Sequence, residues 1–137
     1  MKFQNTYDSL PGNFFAHSKP AFFSNPTLLA YNEELAEELG IALSEYNNEQ
    51  ITEIFSGKKL LEGSKPISMV YAAHQFGGFV PQLGDGRAML LGEVVNPQGK
   101  RFDIQLKGSG PTVFSRNGDG MSALGPVVRE YIVSEAM

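Results

Sequence analysis

Two glycine-dense segments, Gly84-Asp85-Gly86-Arg87 and Lys107-Gly108-Ser109-Gly110, sit at the outer ends of what reads as one β-hairpin and constrain this chain more than any other feature. Between them, residues 88–95 and 101–106 are strand-like apolar runs, and Asn96-Pro97-Gln98-Gly99-Lys100 has the composition of a turn. A hairpin folds its outer ends back beside each other, so residues 84–87 and 107–110 are expected to be neighbours. Glycine lets backbone N–H groups approach a ligand and adopt positive φ, such turns form anion-holding nests, and Arg87 and Lys107 add positive charge. That combination suits phosphate. The spacing alone leaves open a plainer alternative, in which the glycines only terminate strands and the two charges are solvated. Neither GxxxxGK[ST] nor GxGxxG is present, so no generic phosphate-loop signature supports the reading.

The 137 residues, 42% of them hydrophobic, amount to one domain or less with enough length for a real core. A net charge of −4 argues against a general nucleic-acid binder, so any anion site is a local exception. There is no cysteine, and His17 and His74 are the only imidazoles, which argues against a zinc site. The N-terminus lacks a long apolar core, and no run approaches the roughly 18–20 residues that cross a bilayer. A soluble cytoplasmic protein without nucleic-acid or membrane partners is the expectation.

Residues 1–26 scatter Pro11, Gly12, Pro20 and Pro26 among Phe3, Tyr7, Phe14, Phe15, Phe22 and Phe23. They read as an extended arm covering the core. Asn25-Pro26 is expected to open a helix, with Asn25 as N-cap and Pro26 in the first helical position. Its apolar stripe would run through Leu28, Leu29, Tyr31 or Asn32, Leu35, Ala36 and Leu39, with Gly40 ending it. Glu33, Glu34, Glu37 and Glu38 would be solvated surface rather than a metal site. Residues 49–61 read as a second helix carrying Ile51, Ile54, Phe55 and Leu60 inward, with Gly57 disturbing its last turn. Gly63-Ser64-Lys65-Pro66 is the clearest break, dividing an arm and helical preface (1–63) from the sheet region (64–137).

In residues 67–76 neither periodicity is clean, and helix and strand both remain open. His74, among Tyr71, Phe76 and Phe79, reads as a packed, hydrogen-bonded core residue rather than a base. Residues 111–123 form a polar loop holding Arg116 and Asp119. Gly125-Pro126 is expected to start a third helix with Val127, Val128, Tyr131, Ile132 and Ala136 on its apolar face. The chain stops at Met137 without a cap, which reads as a fragment.

Long words of the sequence carry a resemblance. Tyr71-Ala-Ala-His-Gln-Phe-Gly-Gly-Phe-Val-Pro-Gln-Leu-Gly-Asp-Gly-Arg-Ala88, Asp103-Ile-Gln-Leu-Lys-Gly-Ser-Gly-Pro-Thr112, Ser115-Arg116, Gly118-Asp119-Gly120 and Arg129-Glu130-Tyr131 through Ser134-Glu135-Ala136-Met137 resemble the selenoprotein O family, also called YdiU or UPF0061. The resemblance covers residues 71–137, nearly half the chain. It implies an α+β fold like a protein-kinase N-lobe, mainly antiparallel, with a helical preface and an αC-like helix. Lys107 would be the strand lysine and Glu130 its ion-pair partner. Gly84, Gly86, Arg87, Lys107, Asp119 and Gly120 match family positions that contact nucleotide.

The implied activity is transfer of AMP or UMP from ATP or UTP to Ser, Thr or Tyr hydroxyls of protein substrates, with Mg²⁺ or Mn²⁺ and the nucleotide inverted relative to ordinary kinases. The catalytic carboxylate and metal ligands would belong to a C-lobe outside these residues, leaving the isolated fragment inactive. A non-catalytic nucleotide- or partner-binding module is the competing expectation. Two departures stand out: the family's Ser-Arg-Arg-Gly-Asp-Gly-Arg has Asn117 and Met121 in place of two arginines, and its Gly before the histidine is Ala73.

Overall fold

The computed structural model describes residues 2–137. Its centre is a five-stranded antiparallel sheet formed by β1 (Phe15–His17), β2 (Ile67–Gln75), β3 (Gly78–Gly84), β4 (Ala88–Val95) and β5 (Arg101–Lys107), in the order β1-β2-β4-β5 with β3 also on β2. Three α-helices accompany it: α1 (Glu33–Glu38), α2 (Asn48–Phe55) and α3 (Leu124–Ala136). The fold class is α+β, as expected for a kinase-like N-lobe.

The hairpin of β4 and β5 forms as its sequence demands. Asn96 closes the turn by accepting Gln98 N–H (3.1 Å) and Lys100 N–H (2.8 Å) on its side-chain oxygen, and its own N–H donates to the Lys100 carbonyl. Gly92, at φ 143°, marks a bulge between Leu90 and Gly92. Residues Met89 to Val94 are all buried, so β4 is packed on both faces and is the spine of the sheet. One face meets Phe3, Leu61, Phe102, Ile104 and Leu106, forming the larger core.

Residues 67–76, ambiguous in sequence, resolve into strand. The reason lies in the partner that follows: residues 78–84 are also a strand, and Phe76-Gly77 is the tight turn between them, both at positive φ. Periodicity could not show this, because β2 changes partners along its length. Its first half lies against β1 and its second against β3. His74 is exposed and meets Phe79 edge-on at 5.5 Å, so it is not the core residue expected. β3 carries its own bulge at Pro81-Gln82, where two residues face Ala72 alone.

The preface departs from expectation in detail. No helix begins at Pro26. Residues 26–32 lack regular structure, and α1 starts at Glu33 because Asn32, not Asn25, caps it, its side-chain oxygen accepting Leu35 N–H at 2.8 Å. The non-helical path lets Leu28 and Tyr31 reach a small second core of Ala36, Leu43 and Ile51, while Leu29 and Leu35 stay exposed. α2 has a capping box of Asn47 and Gln50 and ends at Phe55 rather than at residue 61, since Gly57 takes φ +78°. Ile51 and Ile54 are buried as expected, but Phe55 and Leu60 are exposed.

The N-terminal arm enters the sheet. β1 pairs with β2, and Gln4 exchanges two 2.8 Å backbone bonds with Glu93, covering the β4 edge. Glu93, only 4% exposed, accepts Thr6 N–H (2.9 Å), Thr6 Oγ1–H (2.5 Å) and Tyr7 N–H (3.2 Å). Burial alone would raise this carboxyl, but these bonds outweigh it and hold it below an ordinary glutamate. A carboxyl lowered on folding contributes stability that is complete above its unfolded value and is lost as pH falls through its folded value. The urea midpoint of the wild type is therefore expected to fall more steeply below pH 4.5 than that of Glu93→Gln, which should already be about 1–3 kcal/mol less stable at neutral pH. Parallel pH curves for the two proteins would rule out the clamp.

Candidate functional site

The site begins with an interruption of pairing. Val70 pairs with Gly84 and Ile67 with Leu90, so three steps along β2 face six along the other chain, and the surplus is Asp85-Gly86-Arg87. These three residues loop out of what would be one continuous strand. Asp85 fixes the loop: its N–H donates to the Met69 carbonyl at 3.0 Å and its carboxylate accepts Met69 N–H at 3.1 Å. Burial raises the Asp85 carboxyl, with the Met69 bond opposing.

The segment after β5 braces the loop from the other side. Thr112 Oγ1–H donates to the Asp85 carbonyl and Ser115 Oγ–H to the Gly86 carbonyl, both at 2.6 Å. Phe114 lies flat on Gly84, where a Cβ would overlap its ring. Gly108 N–H donates to the Arg87 carbonyl at 2.7 Å, joining the two glycine-dense ends directly. Further on, Gly120 at φ +69° lies so close to the Gly110 carbonyl that any side chain would overlap it.

These elements enclose a cleft of about 710 Å³. All six residues matched by sequence to nucleotide contacts, Gly84, Gly86, Arg87, Lys107, Asp119 and Gly120, line it. Lys107, ending β5, donates to both Glu130 oxygens at 2.7 and 2.9 Å. The Lys107 hydrogen bond holds the Glu130 carboxyl below the usual range, and the charges of Lys107, Arg87 and Arg129 act in the same sense. Both side chains are about half exposed, so the pair contributes little to stability and its consequence is positional. Arg116 reaches across to Gln75 Oε1 at 3.4 Å, bringing the 111–123 loop over the end of β2.

Tyr71, Gln75, Phe114 and Ser115 also line the cleft, and the residue-by-residue reading did not single them out. The threonine and serine that flank Phe114 were the available signal, since such side chains commonly cap turns. Asn117, one of the departures, sits at φ +69°, a conformation asparagine tolerates better than arginine. The other, Met121, lines the cleft and donates its N–H to Asp119 Oδ1 at 2.9 Å. That bond and the Met69 bond each engage one oxygen of a cleft carboxylate, and no group of three His, Asp or Glu among the described residues is placed to hold a metal ion.

The third helix differs from its expected form. It starts at Leu124, before Gly125-Pro126, and its capping position, Ala123, offers no side-chain bond. None of its residues is buried, and Val127, Val128, Tyr131 and Ile132 are exposed rather than packed.

An antiparallel sheet whose strand lysine is gripped by a glutamate from the following helix, beside a glycine-bounded cleft, is the arrangement of a protein-kinase-like N-lobe. Within that class the chain belongs to the protein adenylyltransferase SelO family, which it matches over residues 1–137. It is 62% identical over 135 residues to the protein nucleotidyltransferase YdiU of Bradyrhizobium sp. strain ORS 278, covering 98% of this chain and 28% of that protein. It is 58% identical over 137 residues to the YdiU of Agrobacterium fabrum strain C58, covering 100% of this chain and 28% of that protein. The chain thus spans little more than a quarter of the length of these relatives.

Gly120→Ala tests the closure of the cleft. It forces a side chain into the left-handed region and against the Gly110 carbonyl, and is expected to cost about 2–4 kcal/mol. A thermal melt unchanged from wild type would show that the 110–120 contact does not hold the site.

Proposed function

We propose that this chain is the nucleotide-gripping N-lobe of a cytoplasmic protein nucleotidyltransferase that moves AMP or UMP from ATP or UTP to Ser, Thr or Tyr hydroxyls of other proteins. The observation that carries the proposal is that Arg87 and Lys107 line one glycine-bounded cleft, with Lys107 bonded to Glu130 behind it, in a member of this family. Among the described residues no helix is long and apolar enough to cross a membrane.

In the reaction, the protein hydroxyl oxygen bonds to the α-phosphorus as the bond to the pyrophosphate oxygen breaks, and the hydroxyl proton passes to a base. The chain's part is to hold charge in place. Lys107 and Arg87 stabilise the triphosphate electrostatically, and Glu130 fixes the ammonium so that it needs no rearrangement when charge shifts to the leaving group. Mg²⁺ or Mn²⁺ would accompany the triphosphate. The described residues do not supply its ligand set, so the metal ligands and the base are assigned to the length of the relatives beyond this chain.

With the chain in a protein of its relatives' full length, Lys107→Ala and Glu130→Gln are each expected to lower transfer of label from ATP or UTP to protein by about 100-fold or more. Their melting temperatures should stay near wild type. The 137-residue chain alone should transfer none. Wild-type transfer by either variant would remove the pair from the mechanism. Nucleotide binding without transfer by the full-length protein would instead establish a non-catalytic binding module.

A further inference from the structure

Among the described residues the helix that carries Glu130 has no buried side chain and no N-terminal side-chain cap, so packing within this chain does not fix its position. Two polar contacts do. One is Lys107 to Glu130, and the other comes from the preface: Asn32 Nδ2–H donates to both oxygens of Glu135 at 2.9 Å. Five residues of α-helix separate the two attachment points by about 7.5 Å along the axis and about 140° around it. A helix held at one point can swing and roll, whereas two points at different heights and azimuths restrict both motions.

Asn32 is also the residue whose side-chain oxygen caps α1. One amide therefore uses its oxygen for the preface and its nitrogen for α3. We infer that Asn32 is a positioning residue for the Lys107–Glu130 pair, joining the α1 N-terminus to Glu135 so that the helical preface sets where Glu130 stands. The contact needs an acceptor and a donor on two separate atoms, which distinguishes asparagine from aspartate, which has no donor, and from serine and threonine, whose single short hydroxyl cannot cap α1 and reach Glu135 together. Partial melting of α1, or a partner that draws it away, would reach the cleft by loosening α3.

The inference concerns the mounting of the pair and is read without nucleotide, so its failure and that of the proposed function are separable. Asn32→Ser keeps a capping oxygen, removes the amide nitrogen that reaches Glu135 and changes no charge. In this variant, hydrogen exchange of the α3 amides is expected to quicken roughly three- to tenfold while α1 amides keep their protection. The Glu130 carboxyl, followed by carbon-detected NMR, should titrate closer to an ordinary glutamate. Glu135→Ala, which touches no cap, should quicken α3 exchange to the same extent. Asn32→Asp should do so as well, through carboxylate repulsion, and Asn32→Asp with Glu135→Lys should restore protection. The assignment is overturned if Asn32→Ser and Glu135→Ala both leave α3 exchange at the wild-type rate, or if the charge swap fails to restore it.

Discussion

The pairing of β2 governs the rest of the molecule. A single strand is shared between β1, β3 and β4, and it can serve β3 and β4 in succession only because three residues are expelled from the ladder between them. The expelled residues are Asp85, Gly86 and Arg87, and their ejection brings the glycines and Arg87 to the rim of the cleft instead of the interior of the sheet. Asp85 prevents the strand from closing over the gap, since both its backbone and its carboxylate are engaged by Met69. Loop formation thus follows from the same accounting of backbone hydrogen bonds that builds the strand, with Met69 N–H and carbonyl both satisfied by Asp85.

The β4–β5 hairpin was legible because its signals are local: a turn of Asn, Pro and Gly between apolar runs, with the fold-back following from chain geometry. Lys107 and Glu130 were legible only through family resemblance, since nothing in the spacing of a strand lysine and a helical glutamate states that they meet. The β2–β3 hairpin was not legible. Its strands carry Tyr71 and Phe79 on an exposed surface, with Phe76 in the turn exposed as well, so the alternation of apolar and polar residues that marks a half-buried strand is absent. The start of α1 was misplaced because Asn25-Pro26 is a good helix opening by local chemistry, whereas tertiary contact of Leu28 and Tyr31 with the second core selects Asn32.

The preface and arm are structurally continuous with the sheet. Phe3 completes the larger core, Gln4 covers the β4 edge, and Glu93 gathers the turn that follows. The glycine-rich cleft is correspondingly a product of close packing as much as of flexibility: Gly84 is flat under Phe114, and Gly120 is pressed to Gly110. Such positions are rigid, which suits a site whose donors have to be in place before charge develops.

The bulge at Pro81-Gln82 has a consequence for how the molecule behaves among its neighbours. Among the described residues β3 is paired on one side alone, so its other side is a row of backbone groups open to solvent. A flat, exposed strand that carries Phe79 and follows Phe76 would recruit strands from other chains. The extra residue twists that row and proline brings no N–H to it, so a foreign strand finds no continuous register to copy. The exposed aromatic hairpin is thereby kept from becoming a seed for aggregation.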